Sequence, residues 1–124
     1  MELNFFRRGY KDSTYMLQTV ISQTGIEDAG LVAELINEFI ESGELLLVEI
    51  DAAYATQNSN VIASKLHELK GMAGNLGFVA VSRCAESLER SQERDVPGEI
   101  RCQLEELRSE FNQLRATWTK SEMC

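Results

Sequence analysis

Val32, Ile36, Phe39, Gly43, Leu46, Ile50 and Ala53 recur at alternating spacings of four and three. At about 100° per residue these positions fall on one side of a single helix. The same register returns at Ile62, Leu66, Leu69, Ala73 and Leu76, and again at Ile100, Leu104, Leu107, Phe111, Leu114 and Trp118. Phe78, Val81, Ala85 and Leu88 give a shorter stripe between them. A stripe this narrow leaves most of each helix polar, and it is satisfied only by packing against stripes like itself. No alternating, β-branched-rich run competes for a sheet.

Punctuation divides the stripes into elements. Asp12 or Ser13 is an N-cap for a short helix through about Gln23, with Met16, Leu17, Val20 and Ile21 on its apolar side and Thr24-Gly25 as its stop. Bundle helices follow at about 28–56, 58–75, 78–93 and 97–120. The first reads as one long helix that can bend at Gly43, with two shorter helices as the alternative. Gln57-Asn58-Ser59-Asn60 is a polar turn, Gly77 a C-terminal stop, and Pro97 sits at the tolerated first-turn position. Short connections between amphipathic helices predict an all-α fold: an antiparallel up-and-down four-helix bundle with an extra short N-terminal helix, one domain over residues 1–124.

Charge and cysteines narrow the partners. Twelve basic against twenty acidic residues give a net charge of −8, which disfavours nucleic acid and anionic membrane surfaces alike. Three cysteines, Cys84, Cys102 and Cys124, contain no C-x-x-C pair, so neither a zinc site nor a redox pair is expected, and no metal is assigned. Cys84 and Cys102 read as small hydrophobes within helices. Residues 1–10 lack an apolar run of signal-peptide length, and nothing approaches the roughly 20 apolar residues of a membrane span. A monomeric, cytoplasmic protein is expected. Phe5 and Phe6 read as covering one end of the bundle, with partner docking as the alternative.

One stretch is unlike a plain core helix. The chain's single histidine, His67, lies off the stripe of its helix. It shares a face with Ala63, Lys70, Gly71 and Gly74, which are small residues and one cation. Interior helical glycines each cost roughly 0.5–1 kcal/mol relative to alanine, so two on this face point to cleared space. Neutral imidazole is a nucleophile near pH 7. A triad or a metal centre needs more partners than this face offers. Phosphoryl capture needs an in-line nitrogen and cations near the equatorial oxygens.

The stretch His67-Glu68-Leu69-Lys70-Gly71, with Ala73, Asn75-Leu76-Gly77, Cys84 and Leu88-Glu89, resembles the signature of histidine-containing phosphotransfer (HPt) domains. The match is specific from about Val61 to Arg90; Met72 departs from it, standing where the family usually has a small residue. The resemblance implies that His67 is the phosphoacceptor, attacking through Nε2, and that Lys70 stabilises the phosphate. It implies that Gly71 and Gly74, with Ala63, Ser64 and Asn75 around them, give a partner access. It also implies the partners: receiver domains of a hybrid sensor kinase and of a response regulator, which carry a phosphoaspartate and supply Mg²⁺, so the chain needs no cofactor of its own. Glu89 is given no firm role.

The function expected is a phosphorelay intermediate that shuttles a phosphoryl group between receiver aspartates through a phosphohistidine. The alternative is a non-catalytic helical adaptor that binds a kinase or response regulator without carrying phosphate. Autokinase activity is not expected, because the chain has no P-loop-like glycine motif and little length beyond the bundle.

Overall fold

The computed structural model describes residues 12–122, and among them every regular element is helical. The elements are α1 (Ser13–Thr24), α2 (Ala29–Ala55), α3 (Ser59–Leu76), α4 (Val79–Arg94) and α5 (Pro97–Glu122). Phe5, Phe6 and Cys124 lie outside the described residues.

Local chemistry sets the ends. Asp12, Asp28 and Asn58 each accept the backbone N–H three residues on, at 2.8, 3.1 and 3.3 Å, a cap worth about 1 kcal/mol against alanine. Gly25 and Gly77 close α1 and α3 in the left-handed region. The connections that close α2 and α4 place Gln57 and Asp95 there instead, at φ 55° and 58°.

The stripes meet as their spacing requires. All seven positions of the α2 stripe are buried, as are Ile62, Leu66, Leu69 and Ala73 of α3. Phe78, Val81, Ala85 and Leu88 join them with Leu107, Phe111, Leu114 and Trp118. Leu76, Ile100 and Leu104 are partly buried at the margin. α3 packs on α2 and α4, α4 on α5, and α1 against α2, α3 and α5. Phe39 holds the centre, its ring 5.3 Å from Phe78 and 5.8 Å from Phe111 in tilted contacts, each worth about 0.5–1.5 kcal/mol beyond area burial.

Gly43 does not divide α2, which runs unbroken. Its reason is packing. A Cβ at position 43 would lie 2.7 Å from the Phe111 Cζ, so the aromatic ring occupies the space a side chain would need. The reading of Cys102 as a small hydrophobe is also corrected. Cys102 is exposed, because on α5 it falls outside the stripe. Cys84 is half-buried, and burial first, then Glu106 and Glu110, pushes its thiol up to about 11.

Polar contacts join neighbours at the margins. Along α2 and α5, Trp118 Nε1 donates to Asn37 Oδ1 at 2.6 Å, Arg115 pairs with Glu44 and Arg108 with Asp51. Burial pushes the Tyr54 phenol up to about 12, and its hydroxyl donates to Gln92 Oε1 at 2.8 Å, linking α2 to α4. At the α4–α5 corner the buried Ser91 hydroxyl donates to Glu99 Oε1 at 2.8 Å, and Arg94 pairs with the same oxygen. The Ser91 bond, with Arg94 adding to it, holds the Glu99 carboxyl below its ordinary value of 4.5.

Two outcomes follow. Gly43→Ala gains up to about 1 kcal/mol of helix propensity but overpacks against Phe111, at a cost of about 1–3 kcal/mol. Its thermal midpoint is expected to fall; an unchanged or higher midpoint would mean that Phe111 moves aside freely. For Glu99, a depressed folded-state pKa contributes stability above the unfolded value and loses it as pH falls through the folded one. Glu99→Gln should therefore be less stable than wild type at pH 7, and the two denaturation curves should converge below about pH 4.

Candidate functional site

His67 stands mid-way along α3 with its side chain 76 % exposed. The stripe explains this directly. Leu66 and Leu69 go into the core on either side of it, so position 67 must point out. Ala63, Ser64, Gly71 and Asn75 are also exposed, whereas Gly74 is only partly so.

The two glycines have different surroundings. A Cβ at Gly71 would meet nothing within 4 Å. At Gly74 it would touch the Ser82 Oγ at 3.5 Å, an ordinary contact. Gly71 thus borders open space, and Gly74 borders α4. Ser82 also donates from Oγ to the Lys70 carbonyl at 3.2 Å, which pins α4 to α3 beside the histidine. Met72 is partly buried against the core, away from the exposed face.

The electrostatics of the site come from α4. Glu89, which follows the core residue Leu88, is partly buried and places both carboxylate oxygens toward α3. Oε1 lies 3.1 Å from Lys70 Nζ, and Oε2 lies 3.8 Å from His67 Nδ1. The first is a charge-assisted contact and the second is beyond hydrogen-bond range. Lys70, itself mostly buried along its stem, is held one turn from the imidazole.

An exposed imidazole, a tethered cation one turn away and open space over Gly71 thus share one face of α3. A profile described as Hpt domain matches residues 34–117. The chain belongs to the Hpt domain family. The match runs from α2 to the last turns of α5 and so takes in His67, Lys70 and Glu89 together. No curated protein and no solved structure matches the chain. Among the described residues, no helix is long and apolar enough to cross a membrane, and no cluster of His, Cys, Asp or Glu side chains is placed to hold a metal ion.

Sequence reasoning left Glu89 without a role and did not single out Ser82. Glu89 had a signal: it adjoins a core position on the helix that pairs with α3. Ser82 had none, because its partner is a backbone carbonyl on another helix.

The glycines provide the test of access. Gly71→Ala should raise the thermal midpoint, since an exposed helix gains up to about 1 kcal/mol and meets no obstacle. Gly71→Leu should fold equally well yet hinder a docking partner. If a partner binds the leucine variant with wild-type affinity, the open space over Gly71 is not an approach path.

Proposed function

We propose that this chain is a histidine phosphotransfer intermediate, passing a phosphoryl group between receiver aspartates through His67. Membership in the Hpt family supports the class of reaction, and the exposed Nε2 backed by Glu89 is the observation that carries the assignment to His67. The partners are receiver domains of a hybrid sensor kinase and a response regulator, each bringing its own aspartate and Mg²⁺. The chain brings no cofactor.

The step balances simply. Nε2 of neutral His67 attacks phosphorus in line, the N–P bond forms, and the bond to the receiver's aspartyl oxygen breaks with its electrons returning to that carboxylate. Positive charge developing on the ring is offset by Glu89 near Nδ1. Lys70 exchanges its contact with Glu89 for the phosphoryl oxygens, acting as a point charge. Transfer to the second receiver reverses these events. Ala63, Ser64, Gly71, Gly74 and Asn75 form the surface over which the receiver sits, with Gly74 serving also as the seat of Ser82.

The scaffold we propose for this is an antiparallel up-and-down bundle of α2–α5. The pairings Asn37 with Trp118, Glu44 with Arg115 and Asp51 with Arg108 support it, since numbers rise along α2 as they fall along α5. The protein works as a cytoplasmic monomer.

Purified protein should take no label from radiolabelled ATP alone. Mixed with a cognate phosphorylated receiver, it should gain one acid-labile, base-stable label, and a second receiver with Mg²⁺ should drain it. His67→Gln should abolish labelling with helicity intact. Lys70→Ala should slow acceptance about tenfold through loss of one cation. Label from ATP alone would place the protein among kinases. Tight receiver binding without label, across all receivers of the host, would favour the adaptor.

A further inference from the structure

A cavity of about 620 Å³ opens at the end of the molecule where α2 passes to α3 and α4 passes to α5. Its volume is in the range of small-molecule sites. Ile62, Ile100 and Leu104 give it an apolar wall, and Tyr54, Gln92, Asp95 and Arg101 give it polar groups.

Two observations suggest that the cavity is more than a gap between helix ends. The first concerns charge. In this acidic chain Lys65, Lys70, Arg90, Arg94, Arg108 and Arg115 each pair with a carboxylate. Arg83 and Arg101 form no ion pair among the described residues, and neither does Asp95; of these, Arg101 and Asp95 line this cavity. An unneutralised cation and anion thus stand on one cavity wall without meeting each other.

The second observation concerns the backbone. Gln57 and Asp95 are the non-glycine residues with positive φ among the described residues, and both line the cavity. Glycine serves the same left-handed position after α1 and α3 without the steric cost of a Cβ. Asparagine and aspartate tolerate it, but glutamine has no such excuse. Side chains are retained where the backbone would favour none, and both are polar. Gln92 adds a fixed group: its Oε1 accepts the Tyr54 hydroxyl, which turns its Nε2 donors away from that bond.

We propose that this cavity binds a small zwitterion with an apolar side chain, of the aliphatic or aromatic α-amino acid class. The carboxylate lies on Arg101 near the first turn of α5, whose N-terminal end favours negative charge. The ammonium lies on Asp95 at the C-terminal end of α4, which favours positive charge. The side chain covers Ile62, Ile100 and Leu104. This site is separate from His67 and does not depend on the phosphotransfer reading.

The test is a titration of the full chain followed by backbone amide shifts and by calorimetry. The probes are L-leucine and L-phenylalanine, with isovalerate and isopentylamine as leucine analogues carrying one charge each. Saturable shifts are expected at Gln57, Ser59, Gln92 and Arg101 with the amino acids. Each single-charge analogue should bind about tenfold more weakly or less, having lost one charge-assisted contact. Arg101→Gln and Asp95→Asn should each weaken L-leucine by a similar factor with unchanged helicity. No saturable shift from either amino acid at millimolar concentration would overturn the proposal. So would equal binding of isovalerate and L-leucine, or wild-type affinity in both variants.

Discussion

The ring of Phe111 fills the place that a side chain on Gly43 would occupy, and much of the molecule depends on that contact. It lets α5 lie close against α2, brings Phe111 to Phe39, and through Phe39 reaches Phe78 at the head of α4. Three helices are thereby gauged against one aromatic cluster. The buried aliphatic residues of α3 pack into the remaining space. Once α3 is seated by Leu66 and Leu69, the direction of His67 is fixed by the register of its helix. The imidazole is positioned by what lies beneath it.

That arrangement leaves the exposed face chemically spare. One carboxylate on α4 faces two groups on α3: it pairs with Lys70 and stands 3.8 Å from His67 Nδ1. Neither contact fills the outer side of the imidazole. The imidazole therefore stands with its outer side open to solvent. Ser82 secures the same helix pair through the backbone, which leaves the side chains of Lys70 and Glu89 able to rearrange without loosening α3 from α4.

Much of this was legible in the sequence. The four-three register identified the buried face of α2 position by position, and the caps at Asp12 and Asp28 fell where polar residues precede apolar periodicity. The orientation of His67 came from the same register. The single long helix across Gly43 was legible in the register, but the reason for a glycine there was not, because the Phe111 ring that needs the space is far along the chain. Cys102 was misread because residue type was allowed to outweigh register. Ser91 extends the α4 stripe although it is polar, since a hydroxyl is acceptable in a core when Glu99 receives it. Glu89, Ser82 and the surroundings of Gly74 all depend on which residues of α4 face α3, a relation between helices that periodicity within one helix does not encode.

The contacts between α2 and α5 have a kinetic meaning. Those of α3 with α4, and of α4 with α5, join elements that follow one another along the chain, so they form across short loops. Trp118 and Asn37 stand 81 residues apart in sequence. Closing a loop costs entropy that grows with its length, and contacts between distant segments form late for that reason. The α2–α5 seam, with the contacts of α1 on α5, thus closes the longest loops of the bundle. The buried indole, the chain's single tryptophan, sits on that seam. Its fluorescence is thus a probe of the contact between segments that lie far apart in the chain.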